Sequence, residues 1–134
     1  MKVHGSCHCG AIRFEADADP QKAGVCHCTD CQSLTGSAFS LFIQVPKEAF
    51  RLTGGEPKIY VKTAQSGNRR AQAFCANCGT RLWAAAEKDS PVYNLRIGTL
   101  GERAQLTPRV QVWCRSALPW IEELAAVPKK TQGA

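Results

Sequence analysis

The sequence is organised around residues 26–36, which read Cys26-His27-Cys28-Thr29-Asp30-Cys31-Gln32-Ser33-Leu34-Thr35-Gly36. Three thiols fall within six residues of this stretch. Two further pairs flank it, so that seven of the eight cysteines are clustered: Cys7 and Cys9 upstream, Cys75 and Cys78 downstream. Clusters this tight indicate disulfides, a structural metal, or a reactive metal or thiol centre.

Metal coordination is favoured over disulfides. Cysteines one or two residues apart do not easily bridge each other, yet they suit a tetrahedral ion. Residues 1–5 show no apolar export segment, and 8 cysteines in 134 residues fall below the roughly 8–10% of a disulfide scaffold. A sulfur-rich ligand set predicts zinc. We therefore expect a cytoplasmic protein, because thiols stay reduced there.

Glycines divide the cysteines into two predicted sites. In a zinc knuckle the chain turns tightly after the second thiolate, and glycine takes the required positive φ without steric cost. Both flanking pairs are followed by a glycine, Gly10 or Gly79, whereas the central triplet is followed by Gln32. We therefore predict a closed, structural four-sulfur zinc site, whose ligands are Cys7, Cys9, Cys75 and Cys78.

The central triplet is predicted to hold a second zinc. Cys26, Cys28 and Cys31 supply three ligands and leave one open position, the feature that distinguishes a catalytic zinc from a structural one. The alternative is a filled site, whose fourth ligand would be Cys114, His4, His8 or His27. For Cys114, burial as a small hydrophobe on a strand is the favoured interpretation.

These motifs together resemble the glutathione-dependent formaldehyde-activating enzyme family, which also includes centromere protein V. The resemblance spans about residues 4–121 and rests on Gly5-x-Cys7-x-Cys9-Gly10, Cys26-His27-Cys28-x-x-Cys31 and Phe74-Cys75-x-x-Cys78-Gly79-Thr80. It implies a zinc-bearing β-tent fold, with the first and third groups on the structural zinc and the middle group on the catalytic zinc. The sequence departs from the family pattern at Gln111, where the resemblance leads us to expect a histidine.

Short apolar alternations predict a mainly β fold of several short antiparallel sheets with few helical turns. The predicted strands are residues 11–16, 38–45, 50–53, 58–61, 81–84, 92–97 and 108–114. Residues 1–124 are expected to form a single zinc-binding domain, and residues 125–134 a flexible tail.

Three local features bear on the predicted site. Thr29 is predicted to N-cap a helical turn that ends at Gly36, and residues 63–70 read as a polar loop. Phe39 and Phe42 are predicted as core residues, with a pocket wall as the less favoured alternative.

Charge and hydropathy argue against membrane and nucleic-acid roles. No apolar run approaches the roughly 18 residues that cross a bilayer. The formal net charge is +6, but a four-thiolate zinc carries about −2 and a three-thiolate zinc about −1, which lowers it to about +3. The remaining basic residues are scattered, which is typical of a solvated surface.

The site predicts chemistry on thiols. Zinc held by three thiolates is a weak Lewis acid towards water, but it suits holding a substrate thiol as a nucleophilic thiolate. We predict a zinc-dependent carbon–sulfur lyase that adds a thiol to a small aldehyde, or reverses that reaction. The resemblance narrows the substrates to glutathione and formaldehyde. Arg69 or Arg70 could meet the carboxylates of glutathione, although a solvated loop is the favoured interpretation of both.

Two other functions are compatible with the same cysteines. One is a non-catalytic double-zinc module that binds nucleic acid or protein. The other is a metal-free redox protein that uses Cys28 and Cys31, which is disfavoured because no βαβ pattern surrounds that pair.

Overall fold

Ten strands and one α-helix form the framework of the chain, in a computed structural model that describes residues 1–133. The strands are β1 (Lys2–Ser6), β2 (Arg13–Asp17), β3 (Ala23–Cys26), β4 (Ser40–Pro46), β5 (Phe50–Gly54), β6 (Lys58–Thr63), β7 (Arg69–Phe74), β8 (Arg81–Ala86), β9 (Val92–Arg96) and β10 (Val110–Val112). The helix is α1 (Thr29–Thr35), and short 3₁₀ helices cover Pro20–Lys22, Lys47–Ala49, Ile97–Thr99, Arg103–Gln105, Cys114–Ser116 and Ile121–Ala126. The prediction of a mainly β fold with few short helices is confirmed.

The strands form two sheets. The small sheet is antiparallel and has the order β1-β2-β5. The large sheet has the order β10-β3-β4-β9-β8-β7-β6, and its pairs are antiparallel except for the parallel pair of β10 with β3. This parallel pair brings residues 110–112 beside the strand that ends at Cys26.

An aromatic cluster holds the two sheets together. Phe14 and Phe50 come from the small sheet, and Trp83 and Tyr93 come from the large sheet. The ring centroids of Phe14 and Trp83 are 5.3 Å apart, and those of Phe50 and Trp83 are 4.9 Å apart, with edge-to-face geometry in both pairs. Such pairs stabilise a core by about 0.5–1.5 kcal/mol beyond the burial of their area.

Aliphatic side chains complete the core. The alternation of β2 turns Phe14 and Ala16 inward, as expected for a half-buried strand. The largest fully buried aliphatic side chains are Val3, Ile43, Val45, Leu82, Leu95 and Leu100.

Two strand predictions differ from the structure near the cysteine triplet. The strand predicted over residues 108–114 is shortened to β10, because Trp113 adopts a left-handed conformation (φ 57°) that starts a 3₁₀ helix. The polar loop predicted over residues 63–70 is also too long, because Arg69 and Arg70 begin β7. Both basic residues therefore have fixed register positions in the sheet, with Thr63 of β6 opposite Arg69 and Lys62 opposite Arg70.

None of the helices formed by residues 1–133 has the length and apolarity needed to cross a membrane. The division into a domain of residues 1–124 and a tail stays a prediction.

Candidate functional site

The two flanking cysteine pairs meet in space, in what we call the four-cysteine cluster (Cys7, Cys9, Cys75 and Cys78). Their four sulfurs lie within 4.8 Å of one another. The Cys7 and Cys9 Sγ atoms are 3.6 Å apart, and those of Cys9 and Cys75 are 3.8 Å apart. A tetrahedral ion with zinc–sulfur bonds of about 2.3 Å separates its sulfurs by about 3.8 Å, so this donor set fits zinc.

Tight turns hold the four-cysteine cluster, as the glycines predicted. Gly10 has a φ of 81° and Gly79 a φ of 79°, which are positive values that favour glycine. In each turn the glycine N–H donates to the carbonyl of the first cysteine of the pair, Gly10 to Cys7 and Gly79 to Cys75. The first turn joins β1 to β2 and the second joins β7 to β8, so the cluster links the small sheet to the large one.

The middle cysteines also converge, in what we call the triplet (Cys26, Cys28 and Cys31). Their three sulfurs lie within 4.8 Å of one another, and no fourth histidine, cysteine or acidic ligand of residues 1–133 joins them. Cys26 ends β3, and Cys28 and Cys31 lie at the start of α1. All eight cysteines are free rather than paired in disulfides.

The start of α1 differs from the prediction. Cys28, not Thr29, is the N-cap residue, and its Sγ accepts a hydrogen bond from the Cys31 N–H at 3.2 Å. A sulfur that caps the helix is held in place by the backbone, as a hydroxyl would be. The predicted end of the helix at Gly36 is found, with a left-handed φ of 62°.

The residues considered as a fourth ligand lie elsewhere. Cys114 is exposed, so its predicted burial is wrong, and its thiol donates to the Gln111 carbonyl at 3.6 Å. His4 pairs with Glu102 at 3.0 Å, and His8 is exposed. His27 is buried, and its Nε2 donates to Gln111 Oε1 at 2.7 Å.

Hydrogen bonds within the triplet drive the pKa values of its thiols apart. The Cys26 thiol donates a hydrogen bond to Cys31 Sγ, and Ser40 Oγ donates a second one at 3.2 Å. Together these bonds lower the pKa of Cys31 to about 5. The bond to Cys31, followed by burial, raises the pKa of Cys26 well above its ordinary value. Cys31 is therefore a thiolate at neutral pH, which prepares the triplet for a cation.

A cleft of about 340 Å³ opens onto the triplet. Phe42, Val112 and Trp113 supply its apolar wall, so the pocket-wall alternative holds for Phe42. The polar lining residues, which no sequence motif signals, include Ser40, Lys62, Gln72, Asn94 and Arg96. A larger concavity of about 610 Å³ lies over the small sheet, but it contains none of the triplet. The smaller cleft is therefore the candidate functional site.

Partly buried basic side chains line this cleft. Burial lowers the pKa of Arg96, and the nearby Cys31, Cys26 and Cys28 sulfurs oppose that shift. Lys62 pairs with Asp30 Oδ2 at 2.9 Å. Arg69 pairs with Glu87 outside the cleft, which agrees with a solvated position, whereas Arg70 lines the cleft.

Comparisons with known proteins agree with these motifs. A family model described as glutathione-dependent formaldehyde-activating enzyme matches residues 2–116. A Penicillium rubens protein that carries this family's name is 32% identical over 91 residues, which cover 66% of this chain and 47% of that protein. A Schizosaccharomyces pombe protein named as an uncharacterized lyase is 33% identical over 84 residues, covering 63% of this chain and 58% of that protein. The chain therefore spans about half the length of these relatives.

The fold also has a counterpart among solved structures. A crystal structure of a Rhodobacter sphaeroides protein matches with a TM-score of 0.63 and 19% sequence identity. The match covers 84% of this chain and 100% of that one. At this identity the likeness shows the fold alone.

Proposed function

Because this chain belongs to the glutathione-dependent formaldehyde-activating enzyme family, we propose that it is a zinc-dependent carbon–sulfur lyase. Its reaction joins a thiol such as glutathione to a small aldehyde such as formaldehyde, or separates them again. The observation that carries this proposal is the triplet of sulfurs that converge beside a cleft without a fourth ligand among residues 1–133.

Zinc is assigned to both cysteine groups. The four-cysteine cluster would hold a structural zinc, because four sulfurs close a tetrahedral site. Cys26, Cys28 and Cys31 would hold the catalytic zinc, which supplies the ability to bind a substrate thiol as a nucleophilic thiolate. The zinc assignment does not rest on the similarity in fold to the Rhodobacter sphaeroides protein.

The side chains around the triplet prepare the attack. Ser40 Oγ–H donates to Cys31 Sγ and so orients this sulfur and stabilises its negative charge. Phe42 and Trp113 supply apolar surface in the same cleft, against which the carbon chain of a substrate could pack.

Lys62 is the proton carrier in this proposal. As the carbon–sulfur bond forms, the carbonyl electron pair moves to oxygen, which takes a proton from the Lys62 ammonium beside Asp30, and the proton lost by the thiol restores that ammonium through solvent. Lys62 lines the cleft, and its side chain is only 17% exposed. Apart from the thiols, it is the lining residue with a readily transferred proton, because an arginine side chain keeps its protons.

A kinetic comparison tests this function. Nuclear magnetic resonance exchange spectroscopy would measure the rate of adduct formation from glutathione and formaldehyde above the spontaneous rate. We expect acceleration by the wild-type protein and none by Cys31→Ser. A wild-type rate equal to the spontaneous rate would overturn the proposal and favour the non-catalytic double-zinc module.

A further inference from the structure

Three arginines lie beside the triplet without an acidic partner. Arg70 and Arg96 line the cleft, and Arg81 donates a hydrogen bond to Gln72, which also lines it. Among residues 1–133 the ion pairs join Glu15 to Lys2 and Arg51, His4 to Glu102, Lys62 to Asp30 and Arg69 to Glu87. None of the three arginines takes part in these pairs, and no aspartate or glutamate lines the cleft. Grouped, partly buried cations without a carboxylate are costly unless an anion arrives.

The hydrogen bonds of these arginines are incomplete. Gln72 Oε1 accepts from Arg81 and also from Arg96, the latter at 3.3 Å. One neutral oxygen therefore serves two guanidinium groups. The Nε of Arg96 is buried and has no hydrogen-bond partner among residues 1–133. Arg96 thus retains donor capacity next to the cleft.

The triplet does not neutralise this charge. A zinc held by three thiolates carries about −1, whereas the three guanidinium groups carry about +3. Lys62 adds nothing to the excess because Asp30 balances it. Burial is the main cause that lowers the pKa values of Arg81 and Arg96. The positive charge of Arg96 lowers the pKa of Arg81 further, and that of Arg70 lowers the pKa of Arg96 further. The three arginines and a zinc-loaded triplet together therefore keep a net positive charge of about +2, of which Arg81 supplies one charge from outside the cleft lining.

The alternation of β7 separates two adjacent arginines. Arg70 lines the cleft with the triplet, whereas Arg69 forms an ion pair with Glu87. Arg96 lies on β9 and lines the cleft together with all three triplet sulfurs. A ligand whose sulfur reaches the triplet therefore has Arg70 and Arg96 along the walls of the same cleft.

We infer that Arg70 and Arg96 bind a carboxylate of the thiol substrate, so that the cleft selects anionic thiols over neutral thiols of the same size. This inference rests on the proposed function and makes Arg70 and Arg96 its specificity-determining residues. A guanidinium group suits this role because its planar donors match the two oxygens of a carboxylate. The carboxylate of the substrate then serves as the counter-ion that the chain does not provide for these arginines.

Calorimetric titration of the zinc-loaded protein tests the inference without relying on turnover. The probes are glutathione and its bis-amide, in which both carboxylates are replaced by neutral amides of nearly the same size. We expect glutathione to bind about tenfold to a hundredfold more tightly, as for a charge-assisted hydrogen bond. Arg96→Gln and Arg70→Gln should each remove most of this preference, and Arg96→Lys should retain part of it.

The matched control is Arg69→Gln, which removes a charge from the neighbouring position but outside the cleft. It should keep the full preference for glutathione, and thermal unfolding should show that each variant is folded. Equal binding of glutathione and its bis-amide would overturn the inference and leave the proposed function standing. A preference that survives both Arg70→Gln and Arg96→Gln would also overturn it. Binding of neither thiol would overturn both the inference and the proposed function.

Discussion

His27 Nε2 donates a hydrogen bond to Gln111 Oε1 at 2.7 Å, and this bond ties the triplet segment to β10. The backbone N–H of His27 also donates a hydrogen bond to the Val112 carbonyl at 3.0 Å. His27 is only 2% exposed, and Gln111 does not line the cleft. We therefore predict that Gln111, where the resemblance led us to expect a histidine, positions His27 and does not contact the substrate.

Removing this bond should lower stability. Gln111→Ala leaves a buried imidazole N–H without its acceptor, which costs about 1–2 kcal/mol and lowers Tm by about 3–8 °C. Differential scanning calorimetry of the zinc-loaded protein measures the change. Gln105→Ala, at an exposed position whose side chain makes no hydrogen bond among residues 1–133, is the control. An unchanged Tm for Gln111→Ala would contradict this role.

The four-cysteine cluster should contribute more to stability than any single hydrogen bond. Cys75→Ser removes a ligand from the link between the two sheets, so we expect Tm to fall by at least about 10 °C. Cys114→Ser changes an exposed cysteine outside both groups and should leave Tm nearly unchanged. Circular dichroism on heating compares the two variants. A Cys75→Ser protein as stable as Cys114→Ser would show that this cluster is not a structural metal site.

Thiol reactivity of the metal-free protein should depend on pH in a defined way. A hydrogen bond from Cys26 lowers the pKa of Cys31 to about 5, and a hydrogen bond from Thr80 lowers the pKa of Cys78 to about 5. Iodoacetamide should therefore alkylate both at near full rate at pH 7, with rates that fall as the pH passes through about 5. Mass spectrometry of digests locates the labelled residues.

The same pKa shifts make the stability of the folded state depend on pH. A thiol whose pKa is depressed by folding stabilises the folded state fully above its ordinary value of 9.0, and this contribution is lost as the pH falls to about 5. The urea midpoint of the metal-free protein should therefore decrease from pH 8 to pH 5. Ser40→Ala removes a bond to Cys31 and should move the alkylation midpoint of Cys31 upward while leaving that of Cys78 unchanged. A Cys31 midpoint above pH 8 in the wild type would contradict the assigned hydrogen bonds.

Lys62 should affect turnover through its proton. Lys62→Met is expected to lower kcat by about 10²–10⁴-fold, the range for loss of a general acid or base. Lys62→Arg keeps the positive charge beside Asp30 but holds its protons too tightly to transfer them. Both variants should therefore be slow in the exchange assay while keeping their zinc. Full activity of Lys62→Arg would show that only the charge of this residue matters.

The sequence predicted the cysteine groups and the turns that hold them for local reasons. Gly10 and Gly79 each follow a cysteine pair, and positive φ at those positions depends on the residue itself. The mainly β fold also followed from local alternation. Local sequence did not predict that Cys28, rather than Thr29, caps the helix. The approach of the Cys28 sulfur to the Cys31 N–H depends on how the triplet folds as a unit.

The cleft could not be predicted because its walls come from distant strands. Arg96 reaches the triplet through the pairing of β9 with β4, a contact between segments about fifty residues apart. Nothing in residues 92–97 distinguishes Arg96 from a solvated arginine. The end of β10 before Trp113 could not be predicted either. Trp113 is a non-glycine residue in a left-handed conformation, and alternation of apolar and polar residues does not signal such a conformation.

We expect the triplet to hold a zinc of its own that is needed for catalysis. Zinc content and glutathione–formaldehyde exchange should be measured on the same preparations of wild type and Cys28→Ser. We expect about two zinc ions per chain and accelerated exchange for the wild type, but about one zinc ion, a retained fold and only spontaneous exchange for Cys28→Ser. One zinc in the wild type, or accelerated exchange by a Cys28→Ser protein that has lost its second zinc, would contradict it.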